Sequence, residues 1–365
     1  MQSSHRLFVP TGVYPPDIGG PATYVPLLEK HLAAQGWSVD VLPFSAVRHL
    51  PKGIAHIAYF FKALKGARRC DCVYAQDAVS VGWPSLLAAK IARKPFTVKI
   101  VGDHVWEQGR LRFGVKEELD NFPFWPLHPY LIFLRILQQA VVRSSVKVVV
   151  PSAYLKHMVV GWGISPERVA VIYNGIEIPV LTEEPTVKIE RPLIVSVGRL
   201  VSWKGFEGVI QALRNEPSWH LAIVGDGPLR ANLESLVRQN GMTGRVLFTG
   251  TLPREKLHGW LKAADVFVLN STYEGLPHVL IEAMSIGTPV IASDIAGNRE
   301  VMTHEKEGLL VPPADSEALH AAIAKTFSDA GAEQCSLRAQ ERAKAFAIEQ
   351  TVSDLARLLK EICAS

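Results

Sequence analysis

The chain is short of cysteine, of charge and of uninterrupted apolar sequence, and each shortage closes off a class of protein. Its four cysteines are Cys70, Cys72, Cys335 and Cys363. Only the first two are neighbours, and no histidine stands beside them at zinc-like spacing. That argues against a metal site and a secreted disulfide scaffold, and for a reduced, cytosolic setting. Charged residues make up 20% of the chain and the net charge is only +4, so no nucleic acid or other polyanion is called for as a partner. No Gly-x-Gly-x-x-Gly occurs, which disfavours a nicotinamide cofactor and an NAD-dependent oxidoreductase. The first residues lack the basic region, long apolar run and cleavage site of a signal peptide and read as an opening strand. The most apolar stretch, residues 122–142, is broken by Pro123, Pro126, His128, Pro129, Arg135 and two glutamines, so it makes a poor membrane span.

What remains is ordinary globular sequence, 48% apolar, and at 365 residues too long for a single core. Short β-rich runs alternate with longer helical patterns. Candidate strands lie at residues 7–10, 38–42, 72–74, 96–101, 146–150, 169–172, 193–197, 220–224, 246–249, 266–269 and 290–292. Most are continuously apolar, as parallel strands covered on both faces are. Helices are expected between them, among others at 22–35, 228–239, 254–263 and 278–286. The alternation predicts parallel sheets with right-handed crossovers. Residues 179–192 hold three prolines, several charges and no helical stripe, and read as a linker. The expected fold is therefore α/β, with two Rossmann-like doubly wound domains facing across a cleft. Domain boundaries fall at 1–180 and 190–345, and the last helix, about 346–365, is expected to pack back on the N-terminal domain.

Chemistry concentrates where loops follow strands. After the first strand, Gly19 and Gly20 precede a helix, and glycines there permit close backbone approach to an anion at the helix N-terminus. A tight strand-to-helix turn is the plain alternative. In the second domain, Gly198-Arg199-Leu200-Val201-Ser202-Trp203-Lys204-Gly205 puts two cations on one strand-end loop, an arrangement able to clamp a diphosphate. Gly225-Asp226-Gly227 forms a second such loop. In the third, Glu274 precedes a helix beginning near Pro277, where proline is welcome, and Glu282 lies within that helix. Ile281, Ala283 and Met284 mark the helix as largely buried, and buried acids need partners.

Arg199 with Lys204, the Glu274–Glu282 pair with seven residues between, and Ala264-Asp265-Val266-Phe267 resemble the retaining glycosyltransferases of family 4, with the GT-B fold. Gly287-Thr288-Pro289-Val290-Ile291-Ala292-Ser293, Gly297-Asn298-Arg299-Glu300 and Tyr173-Asn174-Gly175-Ile176 extend the likeness. The resemblance implies that Arg199 and Lys204 bind the diphosphate of a nucleotide-sugar donor, that Glu282 holds the ribose hydroxyls and that Glu274 contacts the transferred sugar. Main-chain groups of Gly275, Leu276, Pro277 and His278 would meet sugar and phosphates, and the base would rest near residues 250–253, with Leu252 in contact. Gly19, Gly20 and Gly225 complete the expected donor site. No cofactor is implied beyond a UDP- or GDP-linked sugar as co-substrate. Metal-dependent transferases hold Mg²⁺ or Mn²⁺ by Asp-x-Asp, which does not occur in this sequence; a cationic clamp and a helix N-terminus would supply the charge instead.

On the acceptor side the resemblance points to a His or Asp after the strand at 96–101, with Asp103 the first choice and His104 the second, as catalytic groups beside Arg199, Lys204 and Glu274. A helix-capping aspartate beside a packing histidine is the competing reading. The acceptor is expected to be a glycan or lipid-linked, as in cell-surface polysaccharide or glycolipid synthesis. The basic amphipathic stretch 59–69 and the aromatic stretch 122–134 add the expectation of peripheral contact with a membrane's inner face. Core helices with snorkelling charges are the alternative there. A nucleotide-sugar epimerase and a non-catalytic sugar-nucleotide-binding subunit are the rival functions.

Overall fold

The computed structural model describes residues 5–17, 20–51, 53–125, 128–178, 190–328 and 331–364. They form two compact units. The N-terminal unit comprises the chain through Gly175 together with the segment from Ile348 onward, and the C-terminal unit is Ile176–Ala347. Most of the expected linker, residues 179–189, lies outside the described residues.

The N-terminal unit runs β1 (His5–Thr11), α1 (Gly20–Ala33), β2 (Trp37–Pro43), α2 (Ile54–Ala67), β3 (Cys72–Ala75), α3 (Gly82–Ala92), β4 (Phe96–Lys99), α4 (His104–Phe113), α5 (Pro129–Ser144), β5 (Lys147–Val150), α6 (Ala153–Gly161) and β6 (Val169–Val171). Its six strands are parallel, in the order β2-β1-β3-β4-β5-β6. Strand side chains alternate between two apolar layers. Phe8, Val73, Val98 and Val148 join the core beneath α2, α3, α5 and α6. Leu7, Val9, Tyr74 and Val149 join the opposite core, beneath α1 and the final helix. This explains why the strands read as apolar throughout rather than alternating.

The C-terminal unit runs β7 (Leu193–Val197), α7 (Phe206–Ala212), β8 (His220–Val224), α8 (Arg230–Gln239), β9 (Val246–Gly250), α9 (Arg254–Ala263), β10 (Val266–Leu269), α10 (His278–Ile286), β11 (Val290–Ser293), α11 (Ala296–Val301), β12 (Leu309–Val311), α12 (Ser316–Ser328) and α13 (Gly331–Ala343). Its sheet is also parallel, ordered β12-β11-β10-β7-β8-β9. β12 has no counterpart among the expected strands.

The chain ends in α14 (Ile348–Ala364), part of the N-terminal unit. Ile348, Val352, Leu355, Leu359 and Ile362 recur at helical spacing and sink into the core shared with α1 and β1. Thr351 Oγ1 donates to the Tyr173 carbonyl at 2.8 Å and fixes the helix on the unit's own end. Among the described residues no helix is long and apolar enough to cross a membrane.

Candidate active site

The C-terminal sheet grows from β7 outward through β8 and β9, then returns to the other side of β7 to place β10. Strand order therefore reverses between β7 and β10. Crossovers from these two strands leave in opposite directions, opening a crevice at their carboxyl ends, where open α/β sheets take ligands. The loop after β7 carries Arg199 and Lys204; the loop after β10 carries Glu274.

The two loops are bound to each other. Lys204 closes a short 3₁₀ turn, Ser202–Lys204, and Gly205 follows with φ 66°. A side chain at Gly205 would sit 2.0 Å from the Asn270 carbonyl oxygen, so only glycine allows this approach. Asn270 Nδ2 donates to the Gly205 carbonyl at 2.9 Å, and the Thr272 amide donates to the Trp203 carbonyl at 2.8 Å. These contacts bring Lys204 Nζ to 2.6 Å from Glu274 Oε1. Ser271 Oγ donates to the same oxygen at 2.6 Å, and Ser293 Oγ supports the Ser271 carbonyl. Glu274 is thus a buried carboxylate held by one charged and one neutral donor, in the geometry that makes such bonds strong. Arg199 is exposed and forms no ion pair with the described residues.

Glu282 lies one helical stretch further in, buried on α10 and facing α9. Arg254 Nη2 donates to its Oε1 at 2.9 Å, and His258 Nε2 stands 3.7 Å from Oε2. Burial pushes the Glu282 pKa up, but His258 and Arg254 outweigh it and hold the carboxyl below the usual range. Leu252 is half-buried, just ahead of α9. Gly225 leaves β8 with φ 135°, and a side chain there would lie 2.0 Å from the Gly198 carbonyl oxygen. That glycine seats the β8 loop against the Arg199 loop. At the start of α10, Leu276 is buried, Pro277 takes the N-cap position and the His278 amide points back to the Leu276 carbonyl at 3.1 Å. Gly275 links this turn to Glu274.

The N-terminal unit treats its strand-end groups differently. Asp103 caps α4: its Oδ1 accepts from the Val105 and Trp106 amides at 2.9 and 3.3 Å. Its Oδ2 accepts from Arg135 Nη2 at 2.7 Å, with both side chains almost fully buried. Both oxygens are engaged inside the fold. His104, the first residue of α4, is half-buried and lies close to Asp77 at the end of β3. Burial lowers the His104 pKa, with Asp77 and Asp103 opposing the shift. Asp77 in turn accepts from the Ser80 and Val81 amides at 2.6 and 3.2 Å. Gly20 begins α1, whereas Gly19 lies outside the described residues.

Against this geometry, residues 18–178 match the family model described as Glycosyltransferase Family 4, and residues 180–346 match Glycosyl transferases group 1. The chain belongs to the family 4, group 1 glycosyltransferases. A Rhizobium meliloti lipopolysaccharide core biosynthesis glycosyltransferase, LpsD, is 42% identical over 137 residues, covering 38% of this chain. The chain spans 39% of the length of that curated relative, so the likeness speaks for well under half of either protein. The alpha-maltose-1-phosphate synthase of Mycolicibacterium smegmatis is 27% identical over 88% of this chain and 89% of its own. Among solved structures, Anabaena HepE in complex with UDP and glucose superposes with a TM-score of 0.79 at 19% identity, over 98% of this chain and 100% of the other. That likeness establishes the GT-B class of fold.

Several groups in this glycosyltransferase escape sequence reading. Arg254, His258 and Ser271 have no signal beyond their residue type; they matter through the partners that packing gives them. Asp77 is of the same kind. Lys99, at the end of β4, is almost fully buried, with Nζ 3.1 Å from the centroid of the Tyr24 ring and no hydrogen-bond partner among the described residues. Burial holds its pKa well below the usual lysine value. A lysine at the end of a short buried strand, Phe96-Thr97-Val98-Lys99, is the available hint.

Proposed function

We propose that this chain is a retaining, metal-independent transferase that moves a hexose-type sugar from a UDP- or GDP-linked donor to a glycan or lipid-linked acceptor in cell-surface polysaccharide or glycolipid synthesis. One observation carries the reading: Lys204 and Glu274, 70 residues apart in sequence, meet at 2.6 Å where the strand order of the C-terminal sheet reverses. A cation and a carboxylate fixed side by side at a switch point match the two ends of a sugar diphosphate. The UDP and glucose bound in the Anabaena relative and the lipopolysaccharide role of the Rhizobium one support the donor and pathway class.

Breaking the anomeric C–O bond leaves negative charge on the departing diphosphate and positive charge on the sugar ring. Lys204, released in part from Glu274, and Arg199, without an ion-pair partner among the described residues, take up the diphosphate charge together with the first amides of α10. Such groups are preorganised, and losing one costs about 3 kcal/mol of barrier. Glu274 then meets the hydroxyls of the sugar, and Glu282 exchanges its Arg254 contact for the ribose diol. Since both Asp103 oxygens are engaged, His104, held neutral near pH 7 by burial, is the N-terminal group assigned to the acceptor side. The family resemblance supports retention of configuration, and the cationic clamp supports independence of metal.

The test is thermal stabilisation by UDP, GDP and ADP with EDTA present throughout. A shift with UDP or GDP is expected by mass action. No shift with any nucleotide at millimolar concentration would sink the reading in favour of a non-catalytic protein.

A further inference from the structure

Large apolar side chains are exposed mainly on one side of the N-terminal unit. Ile57 and Phe61 on α2 are 60% and 62% exposed, and Ile91 on α3 is 56% exposed. Helical spacing aligns Ile54, Ile57, Phe61 and Lys65 in one outward stripe of α2, and the exposed Arg68, which caps the helix, continues it, so the stripe is apolar at its start and basic at its end. The opposite stripe, Ala55, Tyr59, Ala63 and Gly66, is buried, so α2 is amphipathic with its second apolar stripe facing solvent. Tyr59, within the basic stretch singled out from sequence, belongs to the buried side. On α3 the outward residues are Leu87, Lys90 and Ile91, and Arg93 just after the helix is exposed as well. α3 packs beside α2 and also beside α5, where Lys90 Nζ lies 3.5 Å from Ser144 Oγ. The outward face of α5 adds Phe133 and Ile136.

The charge pattern of this face is one-sided. Residues 53–70, 78–101 and 121–166 contain no aspartate or glutamate at all. Scattered exposed apolar residues are normal, but a set on adjacent helices, edged by cations and cleared of acids, is an interaction surface. A second copy of the chain fits it poorly. An isologous pairing would set Lys65 and Arg68 against the same cations with no acid to neutralise them. A phospholipid surface accepts both features, apolar side chains among the upper acyl groups and cations among phosphates.

We infer that the α2–α3 face, extended by α5, docks on an anionic lipid bilayer, with Ile54, Ile57, Phe61, Leu87 and Ile91 entering the headgroup boundary. This deepens the proposed function, since it rests on a lipid-linked acceptor being presented at that bilayer.

Flotation of the full chain with vesicles tests it. Binding to vesicles rich in phosphatidylglycerol at low salt is expected, with little binding to pure phosphatidylcholine and loss of binding toward 1 M salt, where the Debye length falls to about 3 Å. Lys65→Gln and Arg68→Gln each weaken partitioning about fivefold, and the Ile57→Glu, Phe61→Glu double variant abolishes it. All four positions are exposed, so circular dichroism and melting temperature stay unchanged. Absence of wild-type flotation on anionic vesicles, or undiminished flotation of the double variant, overturns the inference. So does a vesicle-free dimer that dissociates in the double variant, which makes the face a self-association surface. The nucleotide-induced thermal shift is measured on the same proteins. It is expected to survive every substitution, so loss of donor binding and loss of lipid binding are told apart.

Discussion

The two units are both six-stranded parallel sheets with helices on each face, yet they handle charge at their strand ends in opposite ways. In the C-terminal unit, Lys204 and Glu274 reach each other from two loops at the switch point, with 19% and 10% of their side chains exposed. Such a pair can trade its internal contact for a ligand. In the N-terminal unit, Asp103 and Arg135 are sealed at 3% and 1% exposure, and Asp103 also caps a helix. That pair shapes the fold and is shut away from solvent. Lys99 is a third case, a buried amine without a charged partner among the described residues. The lesson is that an ionisable group at a strand end is a site candidate only when its present partner is exchangeable.

The contrast breaks most sharply at Asp103. Asp103→Ala removes a cap and leaves Arg135 buried and uncompensated, an expected loss of about 3–5 kcal/mol of stability. Chemical denaturation checks it; a change under about 1 kcal/mol would show the pair to be no structural element. Lys204→Ala is expected to do the reverse, keeping the fold while turnover drops about a hundredfold, or about 3 kcal/mol of barrier. Steady-state rates close to wild type would remove Lys204 from the clamp. The smallest effect is expected at Lys99. Its pKa is depressed in the folded protein, so the unfolded chain holds a proton that the folded one lacks, and stability rises with pH up to about 10. Lys99→Met is therefore expected to stabilise the protein by roughly 1 kcal/mol at pH 7, with the advantage shrinking as pH approaches 10. A destabilised variant, or an advantage independent of pH, would mean that Lys99 is charged in the native state.

Much of the architecture is legible in the residues. The strands Leu193–Val197, His220–Val224 and Val266–Leu269 and the helices Arg254–Ala263 and His278–Ile286 begin and end where apolar runs and helical stripes place them. Local pattern is enough there because a parallel strand is apolar on both faces and its ends are marked by glycine or charge. β4 is shorter than its apolar run, stopping at Lys99 rather than continuing to residue 101. The capping turn of Asp103 sets in ahead of α4, and local hydrophobicity carries no sign of it.

The site divides along the same line. The identities of Arg199, Lys204, Glu274 and Glu282, their glycine-rich surroundings and their positions after strands are properties of the sequence itself. Their pairings are not. Whether Lys204 meets Glu274, whether Glu282 answers to Arg254 and His258, and whether Asp103 faces solvent or Arg135 depend on strand order and on helix packing between residues 24 to 70 positions apart. Exposure is decided in the same way, since only the neighbours of α2 determine which of its two apolar stripes is buried. Sequence by itself determined which groups exist and which local structure carries them, because propensity and periodicity act over a few residues. Tertiary structure alone decided which groups are partnered, sealed or open, because contact and solvent access arise only where distant segments close on one another.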